Sequence, residues 1–566
     1  MKHLFQNLIG SWSVKNGGRL KRRLVLLAGG SALASMALLS ACSTTNTAEA
    51  PRPKLLVLLV VDGLPQRQVM DYRDQLGADG FARFFKQGTT YTNAHYGHAF
   101  TVTAAGHAAM LSGAYSHRSG IIGNTWRDPQ TGAEVYCTSD TSATYIGNAT
   151  KPLDGTSPKN LRAEMLGDVF KGLDARSKVI AVSGKDRGAI LPAGKLGTAY
   201  MYMGGSGEFA STTHYMPQHP GWVNAFNQSK LADTYFNRVW QPLLPEAAYS
   251  RSLPDGQAWY APGGALPKTF SDAANKPNAK FYTSLLPSPY LDEMTLAFAK
   301  AALEGEQLGA DDAPDVLSVS LSGHDYVNHA YGAESRLSHD HFLQLDRMLE
   351  GFFKHLDAKV GAGNYVAVLT ADHGFMPTPE HLAQLGKPSG RIDPRKFLER
   401  INTAVQAKFG EGKWVHGFSG SGILLNRSLI KDKQQDAQAM AQLVAQILLK
   451  EPGIAAAYTA QDLMGTSRAQ APLFAAMRKS WHPEVSGEVQ YAVRDGWMFS
   501  TGNTGTTHGS PYTYDTHVPI LAYGPAWFKP TQVDTAVQVA DIAPTLAHVF
   551  KVRPPAQSEG KLLPLR

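Results

Sequence analysis

The stretch Lys54-Leu55-Leu56-Val57-Leu58-Leu59-Val60-Val61-Asp62-Gly63 decides the fold. Its apolar run is unbroken and rich in leucine and valine. It does not alternate with polar residues, as a strand with one wet face would. Such a run suits a strand buried on both faces of a parallel sheet. Runs of the same kind recur at 178–183, 316–321, 365–370 and 518–523. Helical patterns lie between them. Leu345, Met348, Leu349, Phe352, Phe353 and Leu356 form one apolar stripe at helical spacing, and 291–303, 437–449 and 542–550 also read as helices. Alternating strands and helices predict an α/β fold with a mostly parallel central sheet and helices on both faces. Residues 200–290 and 376–505 fit the alternation poorly and are expected to be cap insertions.

The chain has 566 residues, 43% hydrophobic and 18% charged, which excludes a disordered chain or a small stapled scaffold. Its net charge is +7, from 54 basic and 47 acidic side chains. Six of the basic residues (Lys2, Lys15, Arg19, Lys21, Arg22, Arg23) fall within 1–41, which holds no acidic one, leaving 48 against 47 beyond it. The basic balance therefore belongs to the leader, and the rest gives no electrostatic reason to bind nucleic acid.

Residues 1–41 read as a lipoprotein signal peptide. A basic cluster precedes an apolar stretch that is short for a membrane span and broken by Gly29 and Gly30. It ends in Leu39-Ser40-Ala41-Cys42, which resembles a bacterial lipobox and implies cleavage before Cys42 and lipidation of its thiol. The alternative is an ordinary cleaved signal with a chance cysteine. Arg22-Arg23 also bears a weak resemblance to a twin-arginine signal. Residues 42–53 are small, polar and proline-bearing, as a tether from an anchor would be. The expected location is the bacterial periplasm, with membrane contact only through the lipid. Cys137 is the other cysteine, so acylation of Cys42 would leave no intrachain disulfide.

Polar residues gather just after the strand-like runs, where open parallel sheets place ligands. Asp62 follows the first, Lys185 and Arg187 the second, Asp325 and His329 the third, Asp372 and His373 the fourth, and His508 precedes the last. Asp325-x-x-x-His329 puts a carboxylate and an imidazole on one helical face, a donor pair suited to Zn²⁺. Alone, such a pair is usually a solvated helix face or a cap. Asp372 and His373 cannot converge from a regular strand, whose neighbours alternate faces; a turn at Gly374 would let them. Thr101-Val102-Thr103 precedes a helical pattern and offers a hydroxyl at a helix N-terminus, where an anion is favoured; a plain N-cap is the alternative. Lys185-Asp186-Arg187 is either a solvated loop or a pair of cations for phosphoryl oxygens. His324, His339 and His517 are expected to be structural or supporting.

Together these residues resemble the alkaline phosphatase superfamily. Asp62-Gly63, Thr103 with Gly106-His107, Asp325-x-x-x-His329, Asp372-His373-Gly374 and His508-Gly509 stand in its order, over about residues 54–550. Within it, the phosphate-irrepressible alkaline phosphatase group (PafA type) is most similar. Its Thr nucleophile corresponds to Thr103, its Asn to Asn124 in Gly120-Ile121-Ile122-Gly123-Asn124, and its Lys-x-Arg pair to Lys185 and Arg187. The Cys/Ser-x-Pro-x-Arg motif of sulfatases does not follow the first strand.

The resemblance implies two Zn²⁺ ions per chain. Asp62, Asp372, His373 and Thr103 would hold one, and Asp325, His329 and His508 the other. It further implies attack by Thr103 on a phosphate monoester, a phosphothreonine intermediate, and contacts from Asn124, Lys185 and Arg187 to the phosphoryl oxygens. The substrates would be small phosphate monoesters of broad identity. Trp222, Trp240, Trp259 and Tyr260 of the first insertion either bias the choice of alcohol or, as is commoner for aromatic-rich insertions, simply pack. A phosphodiesterase or nucleotide pyrophosphatase on the same two-metal site is the alternative enzyme, and a metal-binding lipoprotein with a decayed site is the non-enzymatic one.

Overall fold

The computed structural model describes residues 51–565. The signal peptide, Cys42 and the tether up to residue 50 lie outside the described residues.

The quoted apolar run forms β1 (Leu55–Val61), every residue of it buried. In chain order follow β2 (Thr89–Tyr91), α1 (Thr103–Ser112), β3 (Val179–Ser183), α2 (Asp186–Ala193), β4 (Thr198–Met203) and β5 (Glu208–Ala210). Next come α3 (Pro289–Gly305), β6 (Asp315–Leu321), α4 (Gly323–Tyr331), α5 (Arg336–Lys359) and β7 (Tyr365–Thr370). The apolar stripe read in the sequence lies in α5, whose first turn is capped by the Ser335 side chain accepting from the Ser338 N–H. Its Leu345, Leu349, Phe352, Phe353 and Leu356 are all fully buried. α3 starts on Pro289 behind a Ser288 cap.

Residues 376–505 build a layer of their own. α6 (Pro394–Phe409), β8 (Val415–Ser419), β9 (Gly422–Leu425), α7 (Ala437–Leu448), β10 (Ile454–Thr459) and β11 (Val489–Val493) follow one another. The four strands form an antiparallel sheet ordered β8-β9-β11-β10. Phe397, Ile401, Trp414, Ile423, Met440 and Val444 make its core. The chain then returns through β12 (Ile520–Tyr523), β13 (Thr531–Val533) and α8 (Ile542–Val549).

The principal sheet has nine strands, ordered β13-β2-β12-β7-β1-β6-β3-β4-β5. The pairings of β1 with β6 and β7, of β6 with β3, of β3 with β4 and of β2 with β13 are parallel. β12 runs antiparallel to β7 and β2, and β5 antiparallel to β4. The sheet is thus mixed, with helices on both sides. The run at 518–523 has the composition of a doubly buried strand, and composition does not encode direction.

The first insertion does not stand apart as a cap. Tyr200, Phe209, Trp240, Trp259 and Tyr260 belong to the principal core. The ring of Trp222 packs 5.2 Å from that of Phe298 in α3, and its indole N–H donates to Glu306 at 2.8 Å.

Candidate active site

Register brings the ligand-bearing ends together. Val60 of β1 is level with Ser320 of β6 on one side and Thr370 of β7 on the other. Asp62, the loop into α4 and the Asp372-His373 turn therefore emerge side by side. Asp325 and His329 sit one turn apart on α4. Gly63 makes the exit turn in the left-handed region at φ +71°, and its N–H donates to Asp372 Oδ1 at 3.0 Å. Gly106 lets α1 lie directly on this loop, because a Cβ there would collide with the Asp372 carbonyl. Gly374 has the same kind of role. It was expected to serve a turn; instead it makes room for the Tyr514 carbonyl, which a side chain would strike.

His373 Nε2 lies 3.4 Å from Asp372 Oδ2, 3.5 Å from Asp62 Oδ1 and 4.0 Å from Asp325 Oδ1. His508 Nε2 is 3.7 Å from Asp325 Oδ1, and His329 Nε2 is 3.5 Å from Asp325 Oδ2. Two donor sets result, Asp325-His329-His508 and Asp62-Asp325-His373, the atoms of each within 4.8 Å of one another. Asp325 belongs to both, whereas the resemblance assigns it only to the set with His329 and His508. Asp372 lies against His373, on the side expected of it.

Three observations say that these sets suit metal cations. Asp62 Oδ1, Asp325 Oδ1 and Asp372 Oδ2 are buried without a hydrogen-bond partner, a costly state for carboxylate oxygens that a cation would relieve. Each histidine has its Nδ1 against a backbone carbonyl: His329 on Thr506 at 2.9 Å, His373 on Gly374 at 2.9 Å, His508 on Thr101 at 2.8 Å. A carbonyl only accepts, so Nδ1 carries the proton and Nε2 keeps its lone pair toward the carboxylates. Burial also holds His373 and His508 below the ordinary imidazole range. Burial, then Asp325 and Asp372, push the Asp62 carboxyl well up, as expected where like charges share a dry site. Carboxylate oxygens with neutral imidazoles form a donor set typical of Zn²⁺.

Lys185 is the cation among them. Its Nζ is 2.7 Å from Asp62 Oδ2 and 2.5 Å from Asp325 Oδ2. Burial opposes its charge, but Asp325 and Asp62 outweigh that and hold the ammonium above its usual range. Lys185 thus lies on carboxylates of the donor sets. Arg187 reaches the cavity described below. Its Nη1 donates to the Tyr136 hydroxyl at 3.1 Å, and that hydroxyl donates to Asp186 Oδ1 at 2.5 Å. Asp186, the acid between the two cations, thus anchors the arginine through a tyrosine. Arg187 Nε is buried with no partner.

Thr103 opens α1 and is buried; its hydroxyl lies 3.5 Å from His373 Nε2. Thr101 is committed elsewhere, its hydroxyl donating to the Ser510 carbonyl at 2.9 Å. Asn124 Oδ1 accepts the Ala104 N–H at 2.9 Å, one of the first free donors of α1. That contact fixes the amide and leaves its NH₂ to donate. Thr103, Asn124, Arg187, His329 and His508 line one cavity of about 370 Å³, and residues of the 376–505 layer supply much of its remaining wall.

Sequence reasoning missed two supports. His107 Nδ1 is hydrogen-bonded to the Thr103 carbonyl at 2.9 Å and its Nε2 to Ser320 Oγ at 2.9 Å, tying the first turn of α1 to β6, with the ring 3.3 Å from Asp372 Oδ2. Asp515 accepts from Gly509 N at 3.0 Å, Ser510 N at 2.8 Å and Ser510 Oγ at 2.6 Å, while its carbonyl accepts from Gly374 N at 2.7 Å. It clamps the His508 turn to the His373 turn. His107 stood in a motif; no spacing marked Asp515. His324, His339 and His517 pack or bond away from the donor sets, on Gln68, Tyr72 and the Thr92 carbonyl. Trp222, Trp240, Trp259 and Tyr260 do not line the cavity.

The chain matches the family model "Type I phosphodiesterase / nucleotide pyrophosphatase" over residues 56–517. It is 35% identical to alkaline phosphatase PhoV of Synechococcus elongatus over 90% of this chain and 92% of that one. It is 33% identical to alkaline phosphatase PafA of Elizabethkingia meningoseptica, over 91% of this chain and 95% of that one. The crystal structure of wild-type alkaline phosphatase PafA superposes with a TM-score of 0.84 at 32% identity, covering 91% of this chain and 99% of that chain.

Proposed function

From the premise that this chain belongs to the type I phosphodiesterase/nucleotide pyrophosphatase family of the alkaline phosphatase superfamily, and is a phosphoric monoester hydrolase, we propose that it is an exported zinc enzyme acting through a phosphothreonine. The observation that carries this is the Thr103 hydroxyl, 3.5 Å from His373 Nε2 of one donor set and in one cavity with Asn124, Arg187, His329 and His508.

Asp62, Asp372 and His373 would hold one zinc ion and Asp325, His329 and His508 the other, with Asp325 near enough to serve both. The bound ions would supply Lewis acidity that eases ionisation of a hydroxyl and stabilises negative charge on oxygen. Thr103 Oγ would attack phosphorus in line, forming a P–O bond as the bond to the alcohol breaks, and water would later hydrolyse the phosphothreonine. The Asn124 NH₂ and the Arg187 guanidinium would receive non-bridging oxygens, and Lys185 adds positive charge beneath them. A monoester dianion presents three such oxygens and a diester monoanion two, so the cations favour the monoester over the diester. Export and lipidation at Cys42 rest on the leader sequence, and the substrates are small phosphate monoesters of broad identity.

Exhaustive chelation should abolish turnover and Zn²⁺ should restore it. Metal analysis of the active enzyme should return two zinc ions per chain. Full activity with one ion or none would overturn the two-metal reading.

A further inference from the structure

We propose that the 376–505 layer forms a leaving-group subsite for flat, apolar alcohols, aryl alcohols above all; this rests on the reaction proposed for the same cavity. Phe418, Tyr491, Trp497, Met498 and Phe499 of that layer line the cavity whose other lining includes Thr103, Asn124, Arg187, His329 and His508. An in-line displacement from Thr103 puts the leaving oxygen on the far side of phosphorus. Thr103, Asn124 and Arg187 would then face the phosphoryl group, and the aromatic wall is the largest apolar surface left for the alcohol.

The rings of that wall brace one another. The rings of Phe418 and Phe499 lie 5.2 Å apart at 69°, and Phe499 and Tyr491 5.6 Å apart at 64°. Phe397, in the core of the layer, backs Phe499 at 5.1 Å and Phe418 at 5.9 Å. The edge-to-face pairs and the stacked Phe397–Phe418 pair together fix ring orientation. Phe418, Trp497 and Phe499 stay half-buried, apolar surface that a planar group would cover. No residue that the layer contributes to the cavity is charged. A second phosphate would lose water there without meeting a cation in return. The cavity is of the size and polarity balance of small-molecule sites, apolar with a few convergent polar groups.

The test uses the full-length zinc-loaded enzyme and phosphate esters of similar leaving-group acidity, phenyl and 2-naphthyl, with methyl phosphate as reference. Burying the second ring should raise kcat/KM for 2-naphthyl over phenyl phosphate by about tenfold. In Phe418→Ala the naphthyl-to-phenyl ratio should fall toward one, with a much smaller loss on methyl phosphate. Phe418→Leu, which keeps apolar bulk without the ring face, should fall between. If wild type hydrolyses all three esters with no naphthyl preference, or if both variants leave the ratio untouched, the subsite is wrong while the phosphatase reading stands. Parallel losses on every ester in both variants would assign the aromatics to holding the layer and would also overturn it. If wild type hydrolyses none of the three, the reaction itself is wrong.

Discussion

The donor-set edge of the principal sheet, behind one wall of the cavity, and the 376–505 layer that forms the other are built on opposite principles. The edge of the principal sheet carries charge. Asp62, Asp325, Asp372, His373 and Lys185 are buried there and held by contacts to backbone and to one another. The 376–505 layer carries none into the cavity, and it stands on its own antiparallel sheet with its own core. The difference separates two tasks. The sheet edge is common to every ester that can react, whereas the layer meets only the part that differs between esters. Changes at the edge should therefore act alike on all monoesters, and changes in the layer should act by alcohol.

The largest effect should come from Thr103→Ala, with a loss on the order of 10⁴-fold or more in kcat and no phosphothreonine on acid quench. The loss should be the same for methyl and aryl phosphates. Thr101→Ala, which removes a hydroxyl already bonded to the Ser510 carbonyl, should be far milder. A dead Thr101→Ala beside an active Thr103→Ala would move the nucleophile. A Thr103→Ala loss that varied with the alcohol would break the division between the walls.

Lys185→Ala/Arg187→Ala comes next. Losing charge-assisted contacts worth about 1.5–3 kcal/mol each should cost roughly 10²–10⁴-fold on monoesters. The cost on diesters should be about tenfold or less. Because Lys185 also lies on Asp62 and Asp325, zinc content must be measured on the same sample. Equal losses on both ester classes would make the pair a support for the carboxylates and not a selector of monoesters.

The smallest effect sharpens the role of Arg187. Tyr136→Phe removes the hydroxyl that links Arg187 to Asp186. Monoester kcat/KM should fall about five- to tenfold, with zinc content intact and the diester rate barely changed. An unchanged monoester rate would mean that Asp186 positions Arg187 without the tyrosine.

Much of the sheet edge was legible in sequence. Hydrophobic runs followed within a few residues by Asp62, Asp325 and Asp372 mark strand ends, and a parallel sheet has to bring strand ends together. The i, i+4 spacing of Asp325 and His329 survives intact because it is local. What escaped was set by long-range packing. The antiparallel direction of β12 follows from where the chain re-enters after residue 505, and no local pattern records that. Tyr136 meets Asp186 across 50 residues. Lys185 stands two residues from Arg187, and its contacts to Asp62 after β1 and to Asp325 on α4 are set by tertiary packing that this spacing does not record. The aromatics of 200–290 drew attention by composition and proved to be core, while Phe418, Trp497 and Phe499 reached the cavity from a layer whose sheet no single run announced.

Selection of monoesters by the charged wall is tested most directly by kcat/KM for an aryl phosphate monoester and a diester with the same leaving group, under one set of conditions with zinc occupancy confirmed. Preference for the monoester by about 10²-fold or more is expected from the two added cationic contacts. A diester hydrolysed as fast as the monoester, or faster, would contradict it.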